Sequence, residues 1–114
     1  SKSEANLYHI RAGGQKDFIE FMAKLKPALQ ETGDPYSYGV YIKESGGYIP
    51  VISIEGYMEG WKDMEPFSTD VYEAMANKYG EEEANDMFDK VYTTIKWVDN
   101  EVLTLRPDLS TQME

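Results

Sequence analysis

The stretch that most constrains this 114-residue chain runs from Tyr36 to Tyr57, YSYGVYIKESGGYIPVISIEGY. Two runs rich in β-branched and aromatic residues, Tyr36–Lys43 and Ile49–Tyr57, flank Glu44-Ser45-Gly46-Gly47. Such runs suit a pleated sheet, and Gly-Gly between them signals a hairpin, because glycine reaches positive φ without steric cost. Strand side chains alternate between faces. One face then carries Tyr36, Tyr38, Val40, Ile42, Ile52 and Ile54, greasy enough to meet a core. The other carries Ser37, Gly39, Tyr41, Lys43, Val51, Ser53, Glu55 and Tyr57, a mixed surface able to line a pocket. A fold for this chain must cover the first face and find a use for the second.

The flanking segments supply the cover. Leu7–Arg11 reads as a short strand with Tyr8 and Ile10 facing one way and Leu7, His9 and Arg11 the other. Ala12-Gly13-Gly14 follows as a turn. In Gln15–Thr32 the residues Phe18, Phe21, Met22, Leu25, Ala28 and Leu29 form one helical stripe. Pro27 is expected to kink or restart that helix near Lys24–Lys26, and Gly33 to stop it. Glu59–Glu65 reads as a short turn or helix. A second long stripe, Val71, Tyr72, Met75, Ala76 and Tyr79, starts at a cap at Thr69 or Asp70 and ends at Gly80. A third is Ala84, Met87, Phe88, Val91, Tyr92 and Ile95, behind Glu81–Glu83, whose carboxylates suit the positive end of a helix dipole. Trp97–Arg106 closes the pattern as a strand, with an interruption allowed at Asp99-Asn100. Leu103 and Leu105 are assigned to its core side, and Val102, Thr104 and Arg106 to the other. Residues 1–114 read as one domain, with 1–6 and 108–114 as flexible ends.

The order is β-α-β-β-α-β with a split second helical unit: an α+β, ferredoxin-like chain with a four-stranded antiparallel sheet and helices on one face. The other face would stay open, and a second copy related by two-fold symmetry is its simplest cover.

Composition narrows the partners. The chain has 21 acidic and 11 basic side chains and a formal charge of −10, so it repels phosphate backbones and anionic lipid. Neither nucleic acid nor membrane is an expected partner, since no apolar run approaches the roughly 20 residues of a membrane helix. There is no cysteine, so disulfides and thiolate chemistry are excluded. The sequence opens Ser-Lys-Ser-Glu, without a signal peptide and without Met. Both a cytoplasmic site and a periplasmic or secreted one after signal removal stay open. One histidine and no HxH, HxxxH or HExxH spacing leave no metal site expected. No phosphate-binding glycine loop and no GxSxG nucleophile occur.

Ile10-Arg11-Ala12-Gly13-Gly14, Gly56-Tyr57 followed by Trp61, and Leu105-Arg106-Pro107-Asp108-Leu109-Ser110 resemble segments of small bacterial proteins in the dimeric α+β barrel superfamily. The resemblance covers nearly the whole chain in element order. It implies a homodimer whose two sheets enclose a lumen. That group largely lacks an assigned activity, and many members look exported. The wider superfamily includes cofactor-independent quinol monooxygenases, haem-degrading enzymes and muconolactone isomerase-like enzymes. Its haem binders usually place the ligating histidine on a helix, whereas His9 is on a strand, so no cofactor is expected.

Candidate chemistry concentrates on the open face. His9 is the candidate general base, because imidazole titrates near neutrality. Arg106 or Tyr41 would stabilise an oxyanion. Arg11, Ser53, Glu55, Trp61 and Thr104 are candidate ligand contacts, with Glu55 paired to Arg106 or Arg11. A hydrogen-bonded lumen histidine and an ion pair that only fixes the dimer are the structural counterparts of these roles. The expectation is a homodimer that binds a small, mostly apolar ligand in its lumen. A cofactor-independent monooxygenase or isomerase acting on a quinol-like or enolisable molecule is the alternative, and a purely structural module the third.

Overall fold

The computed structural model describes residues 2–33, 38–43, 50–57 and 69–111, with only the backbone of Lys2 and Tyr57. Their elements are β1 (Lys2–Ile10), α1 (Gln15–Gln30), β2 (Tyr38–Ile42), β3 (Val51–Tyr57), α2 (Thr69–Tyr79), α3 (Glu81–Tyr92) and β4 (Ile95–Thr104). The strands form one sheet in the order β2-β3-β1-β4, with every neighbouring pair antiparallel. This is the ferredoxin-like α+β arrangement, with β1 and β3 in the centre. The Gly46-Gly47 turn, Tyr36, Ser37, Glu59–Glu65 and Trp61 lie outside the described residues.

Register assigns the faces. Tyr8 stands opposite Ile52 and Val98, and Ile52 opposite Ile42. Tyr8, Ile10, Ile52 and Ile54 are buried on this face against Phe18, Leu25, Val71, Met75, Ala84 and Val91 of the three helices. Rings tie the layers together: Tyr8 meets Phe18 at 5.2 Å between centroids, and Phe21 meets Phe88 edge-on at 5.0 Å. Such contacts add roughly 1 kcal/mol each to the area they bury. The α1 stripe read from spacing is buried throughout, because the 3.6-residue period places it on one side of the helix; in α2 and α3 Val71, Met75, Ala84, Phe88 and Val91 are buried, Tyr72, Ala76, Tyr79 and Met87 half-buried and Tyr92 exposed.

The structure departs from the sequence reading in four places. First, β1 starts at Lys2, where Leu7 was expected and residues 1–6 were assigned to a flexible end. A central strand is paired on both edges, here out to Ser3 with Tyr57 and Lys2 with Thr104, so its neighbours hold it extended despite polar side chains. Second, α1 runs through Pro27 without a restart. Proline near the end of a helix forfeits one backbone bond, little against a stripe buried along its whole length.

Third, β4 is unbroken through Asp99-Asn100 and starts at Ile95, which was expected to end the α3 stripe. Ile95 pairs with Ile10, and a bulge separates that pair from His9 with Trp97. Fourth, Leu103 does not face the core. It stands opposite Ser3, on the face away from the helices, while Val102 stands opposite Glu4 on the helix side. Leu105 lies past the strand. Along Trp97–Arg106 both parities offered apolar residues, so alternation alone could not choose between them, and pairing with β1 did. Val40 and Ile42 do share the core side of the sheet, yet they are exposed, as are Val98 and Val102. Among the described residues the helices cover the two central strands, while the outer ones meet the core mainly through Tyr38 and Ile95.

Candidate functional site on the open sheet face

The face turned away from the helices can be written as rows across the strands. Lys43, Val51, His9 and Trp97 form one row, Lys43 by its backbone bond to Val51. Tyr41, Ser53, Leu7 and Asp99 form the next, then Gly39, Glu55, Ala5 and Glu101. Leu103 lies in the row beyond, beside Ser3. The pleat brings these side chains together because each pair stands directly opposite across a ladder.

His9 is the organised centre of this surface. Its side chain is 11% exposed, and its Nε2 lies 2.8 Å from Asp99 Oδ2. The Trp97 indole stacks on its ring at 4.2 Å between centroids and donates Nε1–H to the same carboxylate oxygen at 3.4 Å. With Asp99 ionised, a neutral His9 carries its proton on Nε2, and the basic lone pair falls on Nδ1. Nδ1 is buried. A molecule on the open face therefore cannot reach the lone pair unless Nε2 first parts from Asp99. The arrangement orients the ring and pairs its Nε2–H with the carboxylate.

Spacing missed the His9 partners. The sequence pattern starts the strand at Trp97 and allows an interruption at Asp99-Asn100. The signal was present in Trp97-Val98-Asp99, whose first and third residues share a strand face. What was lacking was the register that sets that face beside His9.

The expected catalytic set does not converge within one chain. Tyr41 lies two strands and one row from His9, about 12 Å by sheet spacing. Its ring is turned onto Gly39, away from His9: a Cβ on Gly39 would sit 2.7 Å from Tyr41 Cε2. Arg106, expected on the lumen face beside Glu55, follows the end of β4 near Lys2. That is roughly 23 Å along the sheet from His9, at about 3.3 Å per residue. It grips Asp108 with two bonds, Nε to Oδ1 at 3.0 Å and Nη2 to Oδ2 at 2.7 Å. The Asp108 carboxylate raises the exposed guanidinium's pKa, and the guanidinium holds the carboxyl below its usual range.

The expected ligand contacts divide similarly. Ser53 and Glu55 are on the open face, where Ser53 Oγ donates to Glu55 Oε2 at 3.2 Å. Glu55 therefore meets serine rather than the expected arginine. Arg11 is exposed in the turn after β1, its N–H on the Thr94 carbonyl at 2.7 Å. Thr104 pairs with Lys2 on the helix-side parity, so it does not share the face with His9. Trp61 is outside the described residues.

A separate groove of about 350 Å³ opens between the start of α1 and the β2–β3 pair, lined by Gln15, Ile19, Ile42, Lys43, Pro50, Val51 and Ile52. His9, Tyr41, Ser53 and Glu55 do not line it. No group of three or more potential metal ligands occurs among the described residues.

No family model and no curated protein matches the sequence. Solved structures do share the fold. A protein of Agrobacterium tumefaciens known by its locus name superposes with a TM-score of 0.60 at 14% identity, over 99% of this chain and 100% of that one. A NIPSNAP family protein from A. tumefaciens strain C58 gives 0.53 at 20% identity, over 98% of each chain. An uncharacterised NIPSNAP domain protein from Burkholderia xenovorans gives 0.50 at 13% identity, over 97% of this chain and 100% of its own. At these identities the likeness establishes the fold, and it fits the ferredoxin-like strand order.

Proposed function

We propose that the chain forms a homodimer through the open sheet face and holds a small, mostly apolar ligand between the two sheets. One observation carries the reading: Trp97, Tyr41 and Leu103 all stand on this face with 41%, 57% and 58% of their surface exposed. No described helix packs over them. Large apolar side chains left exposed across one sheet face suit an interaction surface, and a closed two-fold pair is the commonest assembly that would cover them. Leu7 and Val51 extend the apolar floor beneath them, and Ser53 with Glu55 adds polar anchors. A mostly apolar lining with few polar groups is the usual make-up of a small-molecule site.

Light scattering at micromolar concentration should give twice the 13.1 kDa chain mass. Nile red, a neutral apolar dye, should then brighten and quench tryptophan emission in the wild type. A Leu103→Glu variant should lose both dimer and dye. A monomer that leaves the dye dark would sink the reading.

A cofactor-independent enzyme acting through His9 is the second reading, favoured by the His9–Asp99 pair alone. It requires the ring to leave Asp99 and turn its basic Nδ1 out to accept a proton from an acidic C–H or phenol. Turnover of a quinol or catechol that vanishes in His9→Gln would support it; no turnover by wild type would exclude it for those substrates.

A further inference from the structure

The open face carries a charge set that its apolar residues obscure. Glu55 comes from β3, Asp99 and Glu101 from β4, Lys43 from the end of β2, and His9 from β1. Tyr41 is neutral. Lys96 is the extra residue of the bulge between the Ile10–Ile95 and His9–Trp97 pairs and stands opposite no residue of β1. Three carboxylates thus face one ammonium, a net of −2 per copy with His9 neutral. Arg11, in the turn beyond β1, adds one positive charge at the rim without reversing the sign.

A two-fold dimer sets this face against itself, so two faces of the same net charge meet, even where Lys43 of one copy stands against a carboxylate of the other. We propose that association through the open face is acid-gated: protonation of His9 and its neighbouring carboxylates closes the dimer, and neutral to alkaline pH loosens it. The inference rests on the homodimer reading above.

His9 is the first receiver. It is nearly buried and its Nε2–H is already 2.8 Å from Asp99, so a proton added at Nδ1 makes an imidazolium paired with that carboxylate. The partner copy then brings three more carboxylates toward it, so the dimer favours the protonated ring more than the monomer does. By linkage, the state that binds more protons gains as pH falls. Two such rings per dimer allow the dissociation constant to change by up to about 100-fold per pH unit. Histidine ordinarily changes charge between pH 5 and 8, so the gate should operate there.

Sedimentation velocity across a concentration series tests this at pH 8.0 and 5.5 in 0.1 M salt. The dissociation constant should be at least about tenfold smaller at pH 5.5. At pH 8.0, raising salt to 1 M should also tighten the dimer, because the screening length falls from about 10 to 3 Å. His9→Gln should lose most of the pH effect above pH 6. Glu101→Gln, an exposed change that leaves the His9 pair intact, should tighten the wild-type dimer at pH 8.0 and keeps the test valid if His9→Gln misfolds. A dimer whose constant is equal at both pH values, or larger at pH 5.5, overturns the gate and leaves the homodimer standing. A monomer under every condition overturns both.

Discussion

Replacing Gly14 by alanine asks whether the turn that carries β1 into α1 is packed or merely bent. Gly14 is buried at the N-cap of α1 with φ −92°, a backbone that any residue can adopt. Space is what it lacks. A Cβ there would stand 2.9 Å from Thr94 Cβ and 3.2 Å from both Arg11 O and Ile10 Cγ2, where ordinary contact begins near 3.4 Å. Thr94 has little room to recede. It is 4% exposed, its hydroxyl donates to Val91 O at 2.6 Å, and its carbonyl accepts Arg11 N–H at 2.7 Å. Forcing a methyl into a fixed contact of this kind costs about 1–3 kcal/mol. For a chain of this size, at about 4 °C per kcal/mol, that lowers Tm by roughly 4–12 °C. The neighbouring Gly13 is the internal control. Its φ is +84° and nothing lies within 4 Å of its would-be Cβ. Alanine there costs about 1 kcal/mol of backbone strain, and asparagine, which tolerates the left-handed region, less. Thermal melts followed by circular dichroism should therefore rank Gly13→Asn mildest, then Gly13→Ala, with Gly14→Ala and Gly14→Asn worst. A Gly14→Ala protein melting within a degree of wild type, or above Gly13→Ala, would refute the packing argument.

Asp99→Ala removes the acceptor shared by His9 and Trp97; it should cost about 1 kcal/mol in urea unfolding and shift Trp97 emission, and a variant unchanged in both would contradict the pairing. Tyr38 gives an alkaline prediction. Burial pushes its phenol above the ordinary value near 10, so the unfolded chain ionises first as pH rises. The stability this group contributes is complete below pH 10 and lost above it; Tyr38→Phe should flatten that part of the pH–Tm curve, and an unchanged slope would rule the group out. Leu103→Glu should abolish the dimer at micromolar concentration, yet melt like the wild type at a dilution where both are monomeric, because the side chain is 58% exposed in the single chain. A large drop in melting temperature would instead place Leu103 in the core of the fold.

The sequence by itself determined the layers. Helical stripes such as Phe18–Leu29 and alternation in Tyr38–Ile42 and Val51–Tyr57 are local properties, set by 3.6-residue and two-residue periods, and they led to an α+β sheet with helices on one side. It also placed His9, Tyr41, Ser53 and Glu55 on one face, because each sits in a strand whose greasy side is unambiguous. Tertiary structure alone decided the last strand. Trp97–Arg106 offers apolar residues at both parities, and only the ladder with β1, shifted by the bulge beside His9, sends Leu103 outward and Val102 inward. The same ladder set Asp99 and Trp97 beside His9, sent Thr104 to the helix side and left Arg106 in a turn with Asp108. Partners 90 residues apart in the chain meet only through register. Register is a property of the paired strands together, and neither strand encodes it alone.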